Sequence, residues 1–72
     1  MSSQLLSQIL PSLSVGDLLL INGLEEATVV EVSEGEGFIG VMVTDNFLGE
    51  PVLKFYAEIY VDDLETTISK IT

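Results

Sequence analysis

The chain has 72 residues, of which twelve are acidic and two are basic, so its formal net charge at pH 7 is −10. Histidine, cysteine, arginine and tryptophan are absent, and because these residues carry much of catalysis, metal binding and phosphate binding, we predict no enzyme, no cofactor and no direct nucleic-acid contact. The hydrophobic fraction of 47% predicts one folded domain, and the lack of a long apolar run or a basic signal flank predicts a soluble cytoplasmic protein that binds no membrane.

The N-terminal segment carries apolar residues at helical spacing between positions 5 and 10. Ser2 or Ser3 is available as the N-cap, and Pro11 is the expected stop. We therefore predict a short amphipathic helix and linker over residues 1–13, followed by a small β domain over 14–72. Because an isolated two-turn helix is not stable in water, the segment must pack on its own domain or on a partner.

Beyond the helix the pattern becomes extended. A turn at residues 14–17 leads into an apolar strand at 18–21, which we expect to be covered on both faces. Asn22-Gly23 is the strongest short turn dipeptide, and a β-branched strand at 27–32 follows it. A glycine-rich turn at 33–37 then predicts a hairpin between this strand and the next.

The next strand, at residues 38–44, places three apolar side chains on one face: Ile39, Val41 and Val43. Gly40 in its middle predicts a bulge or a close backbone approach. Residues 45–51 are predicted to form a loop.

A long strand at residues 52–61 alternates cleanly between a core face and a solvent face. The core face is predicted to hold Leu53, Phe55, Ala57, Ile59 and Val61, and the solvent face Lys54, Tyr56, Glu58 and Tyr60. A single helical turn at 62–65 and a last strand at 66–68 complete the chain. Five short strands with tight turns predict a mainly all-β fold, either a small five-stranded barrel or a bent antiparallel sheet, with a short N-terminal helix.

Two motifs carry a resemblance to a known superfamily. Val15-Gly16-Asp17 opens the first strand, and Asp62-Asp63-Leu64-Glu65 precedes the last. Over residues 15–68 this order resembles the SH3-like small barrels of the Tudor and KOW kind, and the resemblance implies the fold without implying the function. An OB barrel is the alternative, disfavoured because it usually has longer strands and an inserted helix.

The roles that this resemblance implies fit the chain poorly. Tudor-like domains hold methylated basic side chains in an aromatic cage, for which Phe47, Tyr56 and Tyr60 with Asp45 or Glu58 are the available residues. KOW-type domains bind nucleic acid through lysine and arginine, which are nearly absent here. Carboxylate groups suited to acid–base catalysis fall in a glycine-rich turn and in a solvated turn, where we expect nothing to desolvate them. These groups are Glu34 with Glu36, and Asp62 with Asp63 and Glu65.

Two functions remain. The first is a non-catalytic acidic interaction module or small accessory subunit that docks a basic or mixed-charge protein surface. The second is a nucleic-acid mimic that inhibits a DNA- or RNA-binding protein, which even rows of carboxylates would favour. A homodimer is also left open. The predicted partner-binding residues are Glu25, Glu26, Glu31, Glu34, Glu36, Phe38, Asp45, Phe47, Leu48 and Glu50, with Leu24 as a further apolar anchor.

Overall fold

The computed structural model describes residues 3–71, and of residues 45–47 and 51–53 it describes the backbone alone. Its strands form one antiparallel sheet in the order β1-β6-β2-β3-β4-β5. The predicted mainly β fold with a short N-terminal helix is confirmed. No helix in this range is long and apolar enough to cross a membrane. The elements are β1 (Gln4–Leu5), α1 (Leu6–Ile9), a 3₁₀ turn (Leu10–Ser12), β2 (Leu18–Ile21), β3 (Glu25–Ser33), β4 (Phe38–Phe47), β5 (Glu50–Tyr60) and β6 (Thr67–Lys70).

The N-terminal segment begins as a strand, so the sheet has six strands in the described range where we predicted five. Gln4 pairs with Ile68 of β6. The helix consequently starts later than predicted, and its N-cap is Leu5, whose N–H donates to Gln8 Oε1 at 3.0 Å. Ser3 therefore does not cap the helix; its hydroxyl lies 3.0 Å from that of Ser69.

Pro11 does not end the helical segment as predicted. It occupies the first turn of the 3₁₀ helix that continues from α1. Backbone N–H groups in the first turn have no partner within the helix, so proline, which lacks this group, is tolerated there. The segment packs on its own sheet, because its apolar side chains join the single core cluster and α1 lies against β5 and β6. Its buried members are Leu6, Ile9, Leu10 and Leu13.

The core lies between this segment and the inner face of the sheet. The predicted shared face of β4 is confirmed, since Ile39 and Val41 are 0% exposed and Val43 is buried with them. Phe55 was predicted to be buried too, but it is 39% exposed. It points to the same side of the sheet as Ile59 but lies on the outermost strand, where no further strand covers its free side.

β3 contains an irregularity that the sequence did not reveal. The pairing register between β3 and β4 shifts between Val29 and Glu31, so that Val30 is an extra residue of a β-bulge. Val29 is buried on the inner face, whereas Glu31 is exposed two positions later. Because the extra residue reverses the alternation, Glu31 lies on the outer face and Val32 packs against the core.

The segment predicted as a loop at residues 45–51 is mostly strand. β4 and β5 stay paired as far as Phe47 and Glu50, and only Leu48-Gly49 form the turn. Both turn residues have positive φ, 55° and 83°, as a two-residue type I′ hairpin requires. Leucine rarely adopts this conformation, which explains why the pattern did not indicate a hairpin.

Three other turns are held by side-chain hydrogen bonds. The predicted turn at 14–17 is confirmed, with Asp17 Oδ2 accepting from the Ser14 N–H at 2.8 Å and lying 3.3 Å from Lys70 Nζ. The Asn22-Gly23 turn is also confirmed: both residues have positive φ, and Asn22 Oδ1 accepts from the Thr67 N–H at 2.9 Å. Residues 62–65 do not form the predicted helical turn, because Asp63 instead accepts from the N–H and hydroxyl of Thr66 at 3.0 and 2.6 Å.

Candidate interaction surface

The outer face of β3, β4 and β5 brings together side chains that are far apart in sequence. In the pairing register, Gly40 of β4 lies between Glu31 of β3 and Glu58 of β5. Tyr56 and Tyr60 lie two residues to either side of Glu58 and therefore share its face. The bulge at Val30 is what turns Glu31 toward this group.

Two tyrosine hydroxyls and two carboxylates form a connected hydrogen-bond network. The Tyr56 hydroxyl lies 3.2 Å from Glu31 Oε1 and 3.1 Å from Glu58 Oε2, and the Tyr60 hydroxyl donates to Glu58 Oε1 at 2.7 Å. A phenol has a single proton, so Tyr56 shares it between the two carboxylates. The network therefore links β3 to β5 across β4 through side chains alone.

Gly40 is required for this arrangement because the Tyr56 ring passes over it. A Cβ at position 40 would lie 2.8 Å from Tyr56 Cε1 and 2.9 Å from Cζ, closer than van der Waals contact permits. Of the two alternatives predicted for this glycine, the close approach is the one observed, while the bulge lies in the neighbouring strand.

The network holds both phenols in their neutral form. Partial desolvation of the hydroxyl, together with the Glu58 and Glu31 carboxylates, raises the pKa of Tyr56 to about 12. The hydrogen bond to Glu58 is the main cause that raises the pKa of Tyr60, and desolvation and the negative charges of Glu58, Glu36 and Asp62 add to it. A phenolate among these carboxylates would add like charge, so the tyrosines remain hydrogen-bond donors at neutral pH.

We call the group formed by these residues the acid–tyrosine patch. Its two rings are accessible, with Tyr56 48% and Tyr60 44% exposed. Among the described side chains, neither lysine neutralises the charge of the patch. Lys70 is paired with Asp17, and Lys54 has no carboxylate of the described side chains within ion-pair distance. The patch consists of Glu31, Glu36, Tyr56, Glu58, Tyr60 and Asp62.

Part of the predicted partner-binding set falls in or beside the patch. Glu31 and Glu36 belong to it, and Glu34 is exposed in the same β3–β4 turn. Phe38 was predicted to be an exposed anchor, but it is only 7% exposed. Its ring lies under that of Tyr60, with centroids 5.3 Å apart, so it supports the patch from beneath and offers a partner almost no surface.

The remaining predicted residues lie at the opposite end of the sheet. Glu26 pairs with Thr44, four positions along β4 from Gly40 and about 14 Å away. Leu48 at the β4–β5 turn is 89% exposed, and Leu24 at the β2–β3 turn is 84% exposed. The predicted set is therefore divided between two ends of the molecule. The members at this second end are Glu25, Glu26, Leu48 and Glu50, together with Asp45 and Phe47, whose side chains lie outside the described residues.

The residues considered for an aromatic cage are spread along the sheet, and the Phe47 side chain lies outside the described residues. The Phe47 backbone pairs with Glu50, which lies six residues along β5 from Tyr56, or about 20 Å. Tyr56 and Tyr60 are instead combined with Glu58 and Glu31. The solvent-face alternation of Tyr56, Glu58 and Tyr60 was visible in the sequence, but the convergence of Glu31 on them was not.

The patch offers carboxylate oxygens and aromatic rings on an open surface. Such a combination suits an ammonium or guanidinium group, which carboxylates attract as acceptors and ring faces attract through their quadrupoles. Over residues 3–71, as far as side chains are described, there is no pocket and no group of three acidic residues placed to hold a metal ion.

Comparison of the chain with protein-family models, with curated proteins and with solved structures finds no match. The geometry of the patch is therefore the basis for the functional proposal.

Proposed function

We propose that this protein is a non-catalytic acidic interaction module, or a small accessory subunit, that docks a basic surface of a larger protein through the acid–tyrosine patch. The observation that carries the proposal is Glu58, an exposed carboxylate held between two accessible tyrosines whose hydroxyls fix its orientation. The SH3-like assignment stays a proposal as well. It is supported by the consecutive pairing of β2 to β5 and the return of β6 beside β2.

Docking proceeds in two stages in this proposal. The net charge of −10 attracts a basic partner over a distance of about a Debye length, ~8 Å at physiological salt. A lysine or arginine of the partner then binds Glu58, whose two oxygens have acceptor capacity beyond the two tyrosine hydrogen bonds. Contact of the same cation with a tyrosine ring contributes about 0.5–1 kcal/mol at an exposed site.

The nucleic-acid mimic is the weaker alternative. A mimic needs carboxylates spaced like successive phosphates along two rows. Here Glu31 and Glu58 converge on a single hydroxyl, and Glu36 and Asp62 act together with Glu58 on the hydroxyl of Tyr60. Exposed rings beside clustered carboxylates favour a protein partner, since aromatic residues are enriched in protein–protein interfaces.

An NMR titration tests the proposal. We expect a short peptide of alternating lysine and serine to shift the amide signals of β5 and the β3–β4 turn, and to bind less tightly as salt increases. The double variant Glu31→Gln/Glu58→Gln should weaken binding about tenfold, the loss typical of one or two charge-assisted contacts. The double variant Glu26→Gln/Glu50→Gln removes two charges at the opposite end and is the matched control.

The contrary outcomes are equally specific. Equal weakening by the two double variants would show that the peptide responds only to net charge. Signal shifts spread over all acidic turns, with none concentrated on Tyr56 or Tyr60, would likewise exclude the patch as a docking site.

A further inference from the structure

The outer edge of β5 is an open sheet edge in the described part of the chain. β5 is the last strand of the sheet, with β4 on its only paired side. The Val61 N–H donates to the Gly37 carbonyl at 2.9 Å, so Gly37 and Val61 form a hydrogen-bonded pair of the antiparallel ladder. The register is unbroken from this pair to Val43 and Phe55, so hydrogen-bonded and non-hydrogen-bonded pairs alternate along it. Lys54, Tyr56 and Glu58 belong to the non-hydrogen-bonded pairs, and their N–H and C=O groups therefore point away from β4.

This edge is also accessible to another strand. Lys54, Phe55, Tyr56 and Glu58 are all exposed, and Ala57 is partly buried against the core, so both faces of the strand reach solvent at residues 54–56. The Tyr56 ring extends over Gly40 toward β3, away from the edge. Unpaired backbone groups in such a row are a template for pairing with another chain.

We propose that the β5 edge pairs with the β5 edge of a second copy, antiparallel and centred on Tyr56. In this register Lys54 of each copy lies opposite Glu58 of the other, on the same face of the joined sheet, and the two ion pairs are related by a two-fold axis. Centring the pairing on Glu58 would set two glutamates against each other, and centring it on Lys54 would set two lysines.

Two further observations support a second copy of the chain as the partner of the β5 edge. Lys54 has no carboxylate within ion-pair distance among the described side chains, although the chain carries twelve acidic residues. On the inner face, Phe55 is 39% exposed and would pack beside Ala57 of the second copy, which this register places directly opposite. The pairing thus supplies a partner for the unpaired cation and covers the exposed ring on β5.

The dimer goes beyond the proposed docking function, although both engage Glu58, which faces Lys54 of the second copy in the dimer and a cation of the basic partner in docking. It also has an opposite dependence on salt. Each copy carries a charge of −10, so screening of their repulsion should strengthen self-association as NaCl rises from about 0.02 to 0.3 M, whereas binding of a basic partner should weaken.

Sedimentation equilibrium and hydrogen exchange on the full chain provide the first test. We expect a monomer–dimer equilibrium at micromolar to millimolar concentration, with the amides of Tyr56 and Glu58 protected from exchange only as the dimer forms. A chain that stays monomeric at millimolar concentration in about 0.3 M NaCl overturns the proposal. So does a dimer in which these amides exchange as fast as in the monomer.

Charge reversal provides the second test. Lys54→Glu and Glu58→Lys each set like charges opposite one another, and each alone should weaken the homodimer about tenfold or more. An equimolar mixture of the two variants restores both ion pairs at the same total charge as two wild-type copies, so it should form a heterodimer. Glu26→Lys makes the same charge change as Glu58→Lys but lies away from the edge, so it should not weaken association.

Circular dichroism of each variant shows whether it is folded before association is measured. Failure of the folded variants to form a heterodimer overturns the register. Tighter association of Lys54→Ala than of the wild type overturns the pairing itself, because it would show that Lys54 guards the edge against contact.

Discussion

Tyr56 and Glu31, which are 25 residues apart in sequence, meet through a 3.2 Å hydrogen bond that crosses β4 at Gly40. Three separate features permit this contact. The bulge at Val30 turns Glu31 outward, the missing side chain at Gly40 leaves room for the ring, and the alternation of β5 directs Tyr56 to the same face. Each of these features can be altered separately.

The two tyrosines should titrate above their ordinary range. They are the only tyrosines in the chain and tryptophan is absent, so ultraviolet absorbance of the phenolate reports them directly. We expect Tyr56 to ionise near a pKa of about 12 and Tyr60 above 10. Glu58→Gln should lower both values and Glu31→Gln only that of Tyr56. The unfolded chain in denaturant, with both near the usual value of about 10, is the reference.

The same shift predicts how alkali affects stability. A pKa raised by folding means that the folded state retains the proton more strongly than the unfolded state. The stabilisation is complete below pH 10 and is lost as the pH rises from about 10 to 12. The Tm should therefore fall in this range, and it should fall less in Tyr56→Phe, which has no proton to lose there.

Gly40→Ala should disrupt the network while leaving the fold intact. The added methyl group would meet the Tyr56 ring, which can turn away because it is the free end of a flexible side chain. We expect a modest loss of stability, about 1 kcal/mol, and a fall in the Tyr56 pKa toward 10. Gly35→Ala is the control, since no atom lies within 4 Å of the new methyl group. An unchanged tyrosine titration in Gly40→Ala would contradict the proposed crossing.

Acid should weaken the turns held by Asp17 and Asp63. The backbone hydrogen bond from Ser14 lowers the pKa of Asp17, and the hydroxyl and N–H of Thr66 lower that of Asp63. A lowered folded-state pKa gives stability that is present above about pH 3.8 and lost as pH falls through the folded value. Asp63→Asn should lower the Tm at pH 7 and lessen its acid dependence, whereas Asp62→Asn should have little effect.

The N-terminal segment should contribute to stability through burial. Leu6 is 0% exposed and belongs to the core cluster, so Leu6→Ala should cost about 2–5 kcal/mol in urea unfolding. Leu24→Ala makes the same chemical change at a residue that is 84% exposed and should cost less than about 0.5 kcal/mol. Equal losses would mean that α1 does not pack on the sheet.

The two apolar positions Val41 and Phe55 should respond very differently to a charge. Val41 is 0% exposed, so Val41→Asp places an unpaired carboxylate in the core, costs several kcal/mol and unfolds the domain. Phe55→Asp should leave it folded, because the side chain is 39% exposed and reaches water. Circular dichroism and thermal melts separate the two results, and unfolding of both variants would show that Phe55 belongs to the core.

Local patterns were sufficient for much of this fold. The shared face of Ile39, Val41 and Val43 follows from alternation alone, and the Asn22-Gly23 turn from the positive φ that both residues tolerate. The solvent face of Tyr56, Glu58 and Tyr60 was predicted in the same way. Each of these properties depends on residues a few positions apart, which is why the sequence by itself determined them.

Other features depend on contacts between distant segments. Gln4–Leu5 is a strand only because β6 offers it a partner, and a two-residue strand has no pattern of its own. Phe38 is buried because Tyr60 covers it, 22 positions later in the numbering. The bulge at Val30 is a mismatch between two paired strands, and it alone decides that Glu31 lies on the outer face. The sequence placed Tyr56 and Glu58 on one face, but only strand pairing brought Glu31 to them, because register is a property of two strands and not of either one.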